Sequence, residues 1–397
     1  MLLVTLCTLC AIKPVSAQIW AQTGASTNEA WQAMACSADG SKLLAVSQQH
    51  VYTSTNSGVS WTTANPTPSS SLWQGAASSA NGVILAAGSY GGIYISTNSG
   101  LTWLLNTNAP TNFWYWSVAC SADGIKMVAA PYYDTVAGNP QLLYVSKDSG
   151  TTWTATSAPS NHWTSVASSA DGTKLIALAF NGPIYTSTNS GASWTSNNVV
   201  GYWRSVASSA DGTKAVAVAD PGQLYTSINS GVAWSSHFVS GAGTGFGSVA
   251  SSADGTRLVV VGRQGSAPIF VSTNSGNSWI KQTNASLLAE WNAVASSADG
   301  NKLFAATYAY LVNDGSGGVY CLQTTPSPKL KLMSLSTNLA ISWAVPSAKF
   351  VLQQNADLKT TNWLTLPNTP LLIYTNLLNQ ILLIPTNSSA FYRLATP

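Results

Sequence analysis

The chain has 397 residues, only 7% of them charged, with 16 Lys and Arg against 13 Asp and Glu. A net charge of +3 over this length gives no basis for binding nucleic acid or an anionic membrane, so neither partner is expected. Beyond the leader described next, the cysteines are Cys36, Cys120 and Cys321, which do not form a disulfide framework or a Cys/His metal cluster. We therefore expect no metal and no cofactor.

The first residues predict an export signal. Residues 2–12 are mostly apolar, and Val15-Ser16-Ala17 is a small-residue cleavage sequence. The apolar stretch is too short to span a bilayer, and no later stretch reaches about 18 consecutive apolar residues, so no transmembrane segment is expected. We predict a signal peptide over residues 1–17, cleavage near Ala17, and a mature protein that is secreted or held at the cell surface or in the periplasm.

Two short strings then alternate along the chain. One ends in tryptophan, as in Ser54-Thr-Asn-Ser-Gly-Val-Ser-Trp61, and the other places an aromatic residue before Ser-Ala-Asp-Gly, as in residues 163–172. The aromatic residues recur in steps of 40 to 48 residues at Trp31, Trp73, Tyr115, Trp163, Trp203, Phe246 and Trp291. Units of this length, each patterned as four short strands, predict an all-β chain with a seven-bladed β-propeller over residues 18–325.

The seventh unit lacks its fourth strand. It has three predicted strands, ending near residues 319–321, and then runs into Pro326 and Pro328 without the tryptophan string. Residues 18–23, which contain Trp20, have the pattern of a fourth strand without its first three. We predict that this N-terminal strand closes the seventh blade, which removes the free sheet edges of an open array.

The Asp-Gly and Asn-Gly pairs predict tight hairpins, because glycine tolerates the positive φ of such turns. A basic residue follows three positions after the hairpin acid at Lys42, Lys126, Lys174, Lys214, Arg257 and Lys302. We interpret each as an exposed charge pair within its own turn, worth well under about 1 kcal/mol.

The tryptophan string carries a family resemblance. Ser146-Lys-Asp148-Ser-Gly150-Thr-Thr-Trp153 matches the Asp-box, or BNR, repeat at each defined position, and five copies carry asparagine instead, at Asn56, Asn98, Asn189, Asn229 and Asn274. Residues 18–322 thus resemble the Asp-box propellers, which include sialidases, xyloglucanases and the photosystem II assembly and stability factor. The resemblance implies a structural role for the motif, in the turn between third and fourth strands, with its tryptophan wedged into apolar surface.

The same resemblance limits the enzymatic functions to be expected. A sialidase of the known type would need three arginines for the substrate carboxylate, and the chain has only Arg204, Arg257, Arg263 and Arg393. Arg257 belongs to a repeat turn and Arg393 to the C-terminal region. Xyloglucanases use two facing propellers, whereas one is predicted here. True sialidase activity is therefore not expected.

Residues that break the repeat collect in loops on the face opposite the hairpins. They include Phe113, Phe180 and Tyr310, and the candidate ligand-binding residues Trp114, Trp116, Tyr132, Tyr133, Asp134, His162, Tyr202, Arg263 and Tyr308. Aromatic side chains with few charges suit sugar stacking or protein docking, and packing of the loops is the alternative for each. If the protein is an enzyme, its acid–base candidates are Asp134, Asp220, Glu290 and Asp314.

The composition changes after Pro328. Alternating short strands over residues 326–397 predict a small β-sandwich of fibronectin-III or immunoglobulin type. Ile341-Ser-Trp343 and Thr361-Asn-Trp363 contribute to a pattern that resembles a C-terminal module recurrent in secreted proteins of the planctomycete and verrucomicrobial lineages. That resemblance implies attachment to a surface or matrix, not chemistry.

The sequence favours an exported, monomeric, non-enzymatic recognition propeller that binds a glycan or an extracellular or cell-surface protein through its loop face. The alternative is a secreted glycoside hydrolase or lyase of the Asp-box propeller type. Turnover of a polysaccharide would separate the two.

Overall fold

The computed structural model describes residues 20–64, 66, 72–134, 139–239, 245–263, 268–282, 290–308, 317–324, 330–335, 338–345, 350–357, 360, 362–374, 377–384 and 390–395, without the side chains of residues 133, 134 and 344. The predicted signal peptide, Tyr310, Asp314 and the side chains of Tyr133 and Asp134 lie outside this description. The described residues contain strands, turns and loops and no helix, hence none long and apolar enough to cross a membrane.

The first repeats form one four-stranded antiparallel sheet each. A short strand, β1 (Ala21–Gln22), precedes them. The sheets contain β2 (Trp31–Cys36), β3 (Leu43–Ser47), β4 (Val51–Ser54) and β5 (Thr62–Ala64); β6 (Trp73–Ser78), β7 (Leu85–Ser89), β8 (Gly92–Ser96) and β9 (Leu104–Leu105); and β10 (Phe113–Cys120), β11 (Met127–Asp134), β12 (Tyr144–Ser146) and β13 (Thr154–Ala155).

The next two repeats share one six-stranded sheet, because two of its strands run without interruption from one strand position of the repeat into the next. These long strands pair with each other at Phe180↔Tyr202 and Pro183↔Val200. The sheet contains β14 (Trp163–Ser168), β15 (Leu175–Ser187), β16 (Thr195–Ser208), β17 (Ala215–Asp220), β18 (Gln223–Ser227) and β19 (Ser235–His237).

The last two repeats complete the array. One forms the sheet of β20 (Phe246–Ser251), β21 (Leu258–Gly262), β22 (Ile269–Ser272) and β23 (Ile280–Gln282), and the other contains β24 (Trp291–Ser296), β25 (Lys302–Thr307) and β26 (Val319–Gln323). The outer edge of β26 pairs with β1 through Ala21↔Cys321 and Gln22↔Tyr320. The N-terminal strand is therefore the fourth strand of the last repeat's sheet.

The repeats contact one another in a cycle. The first strand of each repeat packs beside the first strand of the next, and β24 of the last repeat packs beside β2 of the first. Hydrogen bonds of 2.7–2.8 Å run in the same cycle, from the amide of one alanine to the carbonyl of the alanine in the next repeat, through Ala38, Ala80, Ala122, Ala170, Ala210, Ala253, Ala298 and back to Ala38. We call these seven residues the alanine ring.

The core lies between neighbouring sheets. The repeat aromatics Trp31, Trp73, Tyr115, Trp163, Trp203, Phe246 and Trp291 are at most 1% exposed. Several meet a tyrosine edge-on, as in Trp31–Tyr52 at 5.0 Å and Trp203–Tyr225 at 5.2 Å between ring centroids. Burial of such large aromatic surfaces dominates the packing energy of the array.

The tryptophan strings form turns held by side-chain hydrogen bonds. Asp148 Oδ1 accepts bonds from Thr152 N and Ser146 Oγ, both at 2.8 Å. Asn56 Oδ1 accepts the equivalent bond from Ser60 N at 2.9 Å, and its amide donates to Ser60 Oγ at 2.8 Å. Asparagine therefore does the same structural work as aspartate. The tryptophans that end these strings, expected to wedge into apolar surface, are half-buried, except for Trp103, which is buried.

The basic residues of the hairpins do not act as the sequence suggested. Lys126 Nζ donates to Asp171 O, and Lys174 Nζ to Asp211 O, each at 2.9 Å and each in the following repeat. The expectation of a charge pair within one turn was wrong for these lysines. The long aliphatic stem lets the ammonium group cross to the next turn, which links repeats instead of bracing one hairpin.

The C-terminal strands are β27 (Lys331–Ser334), β28 (Leu339–Ala344), β29 (Val351–Asn355), β30 (Leu364–Thr365), β31 (Leu371–Ile373), β32 (Leu378–Leu383) and β33 (Phe391–Ala395). They form two sheets, in the orders β27-β28-β32-β31 and β30-β29-β33. Ile341, Trp343 and Leu352 are at most 3% exposed and share one cluster with Tyr392, so the two sheets have a common apolar core.

Candidate functional site

The turns and the loops lie on opposite faces of the array. In six repeats, a serine amide in the tryptophan-string turn donates to a carbonyl of the hairpin in the same repeat, as in Ser149 N to Ile125 O at 2.8 Å. These bonds place both kinds of turn together on one face, which we call the hairpin face. The connections from the second to the third strand, and from one repeat to the next, therefore lie on the other, the loop face.

A continuous row of aromatic rings crosses the loop face. It consists of Tyr90, Trp114, Trp116, Tyr132, His162, Phe180 and Tyr202 and is called the aromatic stripe below. Consecutive ring centroids lie 5.8 Å apart for Tyr90–Trp114, 5.1 Å for Trp114–Trp116 and 4.7 Å for Trp116–Tyr132. The row continues from Tyr132 to His162 at 5.1 Å and to Phe180 at 6.1 Å, and from Phe180 to Tyr202 at 5.6 Å.

Local irregularities of the strands position these rings. β10 has register shifts between Phe113 and Tyr115 and between Tyr115 and Ser117, which interrupt regular alternation beside Trp114 and Trp116. On the other side, the pairing of Phe180 with Tyr202 across β15 and β16 fixes the end of the stripe. The stripe therefore stands on paired strands rather than on a loop tip.

His162 links the two halves of the stripe. Its Nδ1 lies 2.9 Å from the carbonyl oxygen of Tyr132, so Nδ1–H is the donor and the ring is held by the neighbouring repeat. This partner is a backbone carbonyl. This hydrogen bond fixes the orientation of the His162 ring within the stripe.

The stripe leads into a central cavity of about 220 Å³. In every repeat, the residue directly after the repeat aromatic lines this cavity: Gln32, Gln74, Trp116, Thr164, Arg204, Gly247 and Asn292. Amides, hydroxyls and a guanidinium dominate this set. The cavity is smaller than the pockets of about 300–1,000 Å³ that enclose drug-sized ligands, so it suits one side chain or a chain end.

Two arginines lie at this cavity. Arg204 Nε is 2.6 Å from Asp220 Oδ2, in an ion pair whose two side chains are each about 30% exposed. Arg263 also lines the cavity. Burial lowers the pKa of Arg263, and the positive charge of Arg204 lowers it further, although Asp220 and other groups oppose the shift. The cavity therefore holds two guanidinium groups close enough to repel each other.

Of the four loop carboxylates predicted as acid–base candidates, the structure describes the side chains of Asp220 and Glu290, and both lie near enough to Arg263 to affect its pKa. Asp220 is bonded to Arg204, Glu290 is exposed, and the side chain of Asp134 and all of Asp314 lie outside the described residues. Glu290 has a backbone role, because its carbonyl accepts a bond from Tyr308 N at 2.7 Å. Within the described residues, no group of His, Cys, Asp or Glu side chains could hold a metal ion.

The structure brings five of the nine candidate ligand-binding residues into one surface: Trp114, Trp116, Tyr132, His162 and Tyr202. Arg263 lies at the cavity beside them. The hydroxyl of Tyr308 accepts a bond from Gln48 Nε2 at 3.3 Å, and Tyr308 lies near enough to Arg263 to affect the pKa of its guanidinium. The remaining two, Tyr133 and Asp134, have no described side chains.

Several residues of this face were not among the candidates predicted from the sequence. Tyr90, which is 41% exposed and begins the stripe, and Arg204, at the cavity, were not selected. The position after each repeat aromatic was the available signal, since it varies while its neighbours repeat. A second group was also missed: Glu29 Oε1 accepts a bond from Tyr52 OH at 2.6 Å and lies 3.0 Å from His50 Nδ1.

Comparison with solved structures settles the fold. The chain is similar to YCF48 bound to D1 peptide, with a TM-score of 0.58 and 14% identity, over 79% of this chain and 99% of that one. It is similar to the β-propeller domain of Cps50 (Swd1) from Myceliophteria thermophila, with a TM-score of 0.59 and 12% identity, over 78% and 99% of the two chains. The chain has a β-propeller fold.

A third propeller neighbour is an enzyme. An ancestral GH74 enzyme matches with a TM-score of 0.53 and 15% identity, over 83% of this chain and 54% of that one. No protein-family model and no curated protein matches the sequence. Because the identities are all 15% or lower, these likenesses extend to the fold and leave the function to the site itself.

Proposed function

We propose that the propeller has seven blades, is closed by its N-terminal strand and is followed by a small β-sandwich. The cyclic hydrogen bonds of the alanine ring support the blade number. The pairing of Ala21 with Cys321 supports closure, because it supplies the strand that the last repeat lacks. The two C-terminal sheets with one shared core support the sandwich.

We further propose that this exported propeller is a recognition module that binds an extended segment of a protein partner along the aromatic stripe, without catalysis. The observation that carries the proposal is the continuity of the stripe over several repeats. Tyr202 is 48% exposed and Tyr90 is 41% exposed at its two ends, and the rings between them are half-buried. A contiguous aromatic surface of this kind is typical of interaction sites.

Two features favour a peptide over a glycan as the ligand. The rings are tilted or edge-on to one another, as in Phe180–Tyr202 at 61°, so they do not form one flat surface on which consecutive sugar rings could stack. The cavity beside the stripe presents amide and guanidinium groups, including Gln74 and Arg204, that can bond backbone carbonyls or a carboxylate. The neighbour YCF48, seen with a D1 peptide, shows that a propeller can bind a peptide.

The alternative function, glycoside hydrolysis or elimination, is weakly supported by this geometry. Such enzymes need two carboxyl groups across a cleft at about 5–10 Å. Asp220, one of the two described candidates, is held in an ion pair by Arg204, which lines the cavity. The ancestral GH74 neighbour keeps this class as the relevant alternative.

A peptide-array and glycan-array screen with mature protein tests the proposal. The variant Tyr202→Ala, which lacks an exposed ring of the stripe, should no longer bind the peptides that retain the unmodified protein. The matched control is Phe238→Ala, since Phe238 is 92% exposed and lies outside the stripe. Retention should fall by at least about tenfold for the first variant, equivalent to ~1.4 kcal/mol, and stay unchanged for the second.

Three outcomes would contradict the proposal. Equal losses for Tyr202→Ala and Phe238→Ala would mean that the stripe has no special role. Retention on glycans alone would replace the ligand class. Turnover of a polysaccharide by the mature protein would replace binding with catalysis.

A further inference from the structure

The alanine ring is covered by the C-terminal module. The ring residues lie in the Ser-Ala-Asp-Gly or Ser-Ala-Asn-Gly turns of the hairpin face, and their side chains belong to one apolar cluster. Six of the seven are only 6–7% exposed. Val345, Leu372 and Leu377 of the C-terminal module pack in the same apolar cluster.

The three contacting side chains come from separate parts of the module but converge. Val345 directly follows β28 and is 8% exposed, Leu372 lies within β31, and Leu377 directly precedes β32. Val345 N donates to Leu377 O at 3.2 Å, which holds two of the three together. The contact is thus formed by residues in or next to three strands of one sheet, and not by a single loop.

The alanine ring and the three side chains that contact it are both apolar. A ring of small methyl groups offers a shallow apolar socket, and three branched aliphatic side chains can fill it without leaving a buried polar group unpaired. Neighbouring Leu371, on the other side of β31, is 67% exposed. The module therefore turns one apolar residue of this strand toward the ring and leaves the adjacent one in solvent.

We propose that the alanine ring is a docking socket for the C-terminal module, and that the docked module covers the centre of the propeller on the hairpin face. The module is then a fixed cap of the propeller rather than an independent appendage on a linker. One consequence rests on the proposed function as well: a ligand on the aromatic stripe reaches the cavity only from the loop face, with a side chain or a chain end.

Limited trypsin proteolysis of the full mature chain tests the docking without any ligand. Lys329 and Lys331 follow the propeller repeats in the sequence, and Lys331 is exposed in β27, the first strand of the module. Leu372→Glu places a charge in the socket and should speed cleavage at these lysines by about tenfold, because cleavage follows the population of the open form. Leu371→Glu, the same change one residue away, should leave the rate unchanged.

A variant on the propeller side covers the case in which Leu372→Glu disturbs the module's own fold. Ala122→Gln enlarges one member of the ring and leaves every module residue intact, and it should also speed cleavage. Small-angle scattering should show a larger maximum dimension for both undocked variants than for Leu371→Glu. Equal cleavage rates in all four proteins, or equal acceleration by Leu371→Glu and Leu372→Glu, would overturn the docking and leave the stripe proposal untouched.

Discussion

Lys126 and Gly172 lock two neighbouring blades together. Lys126 Nζ donates a 2.9 Å bond to the carbonyl of Asp171, and a Cβ on Gly172 would lie 2.8 Å from Lys126 Cβ. The same packing of a basic stem against the next hairpin glycine joins Lys42–Gly82, Lys174–Gly212, Lys214–Gly255, Arg257–Gly300 and Lys302–Gly40. Only Gly124 faces a different residue, Ile84, among these described turns.

We call this packing of a basic side chain on the next hairpin glycine the interlock. It predicts that Gly172→Ala lowers the free energy of unfolding. The new methyl group would clash with Lys126, and φ is +67°, so the free energy of unfolding should fall by more than the roughly 1 kcal/mol expected from backbone strain alone. Gly222→Ala is the matched control, because its φ of 66° is nearly the same in a turn outside the interlock. Urea denaturation that gives equal losses for the two would contradict the interlock.

The buried repeat aromatics and the half-buried string tryptophans should differ in stability effect. Trp203 is fully buried and donates from Nε1 to Gly182 O at 2.8 Å. Trp203→Ala should lower the free energy of unfolding by about 3–5 kcal/mol. Trp153→Ala should cost less, since Trp153 is half-buried. Chemical denaturation gives both values, and a larger loss at Trp153 would refute this ranking.

The N-terminal strand should be essential for the closed array. Trp20 is 5% exposed, packs near Trp291, and precedes the strand that pairs with β26. A chain that begins at Gly24 should melt at a lower temperature and aggregate, because β26 would be left as a free edge. A melting temperature equal to that of the chain beginning at Gln18 would argue against closure by this strand.

The hairpin acids predict a pH dependence of stability. Burial raises the pKa of Asp171, but hydrogen bonds from Ser169 and Thr173 outweigh it, so the pKa lies below its ordinary value. The pKa values of Asp39, Asp211 and Asp254 are lowered in the same way. A lowered native pKa stabilises the fold above the unfolded pKa of about 4, and that stability is lost as the pH falls through the native pKa.

Asn81 already occupies the equivalent position in one repeat and accepts the bond from Ser79 Oγ at 2.8 Å. Replacement of Asp39, Asp171, Asp211 and Asp254 by Asn should therefore keep the fold and reduce the loss of stability between pH 5 and about pH 2. Denaturant titrations over that range measure the difference. An unchanged pH dependence in the fourfold variant would show that other groups control acid lability.

Much of the fold follows from the sequence because the repeat is local. The spacing of the aromatics gives the strand pattern, and the missing strand after Cys321 gives its pairing with the N-terminal strand. Contacts between repeats were not predictable in the same way. In the sequence, Lys126 is nearest to the acid of its own hairpin, whereas in the structure its ammonium group bonds to Asp171 O of the next repeat. The predicted sandwich strands, such as residues 339–343, also coincide with observed strands.

The candidate site was predictable in composition but not in arrangement. Departures from the repeat identified Trp114, Trp116 and Tyr202, because nothing in the blade pattern requires them. Their alignment depends on the β10 register shifts and on the pairing of the long strands β15 and β16, which no single repeat encodes. Docking of Leu372 on the alanine ring could not be anticipated, because it joins two regions without shared periodicity.

The most direct test of the recognition surface is hydrogen–deuterium exchange of the mature protein with and without a retained peptide. We expect slower exchange in residues 113–116, 180–183 and 200–204, which carry the stripe and its supporting pairs, and no change at the turn of residues 146–153 on the hairpin face. Protection confined to the hairpin face or to the C-terminal module, with residues 113–116 and 200–204 unchanged, would contradict the aromatic stripe as the binding site.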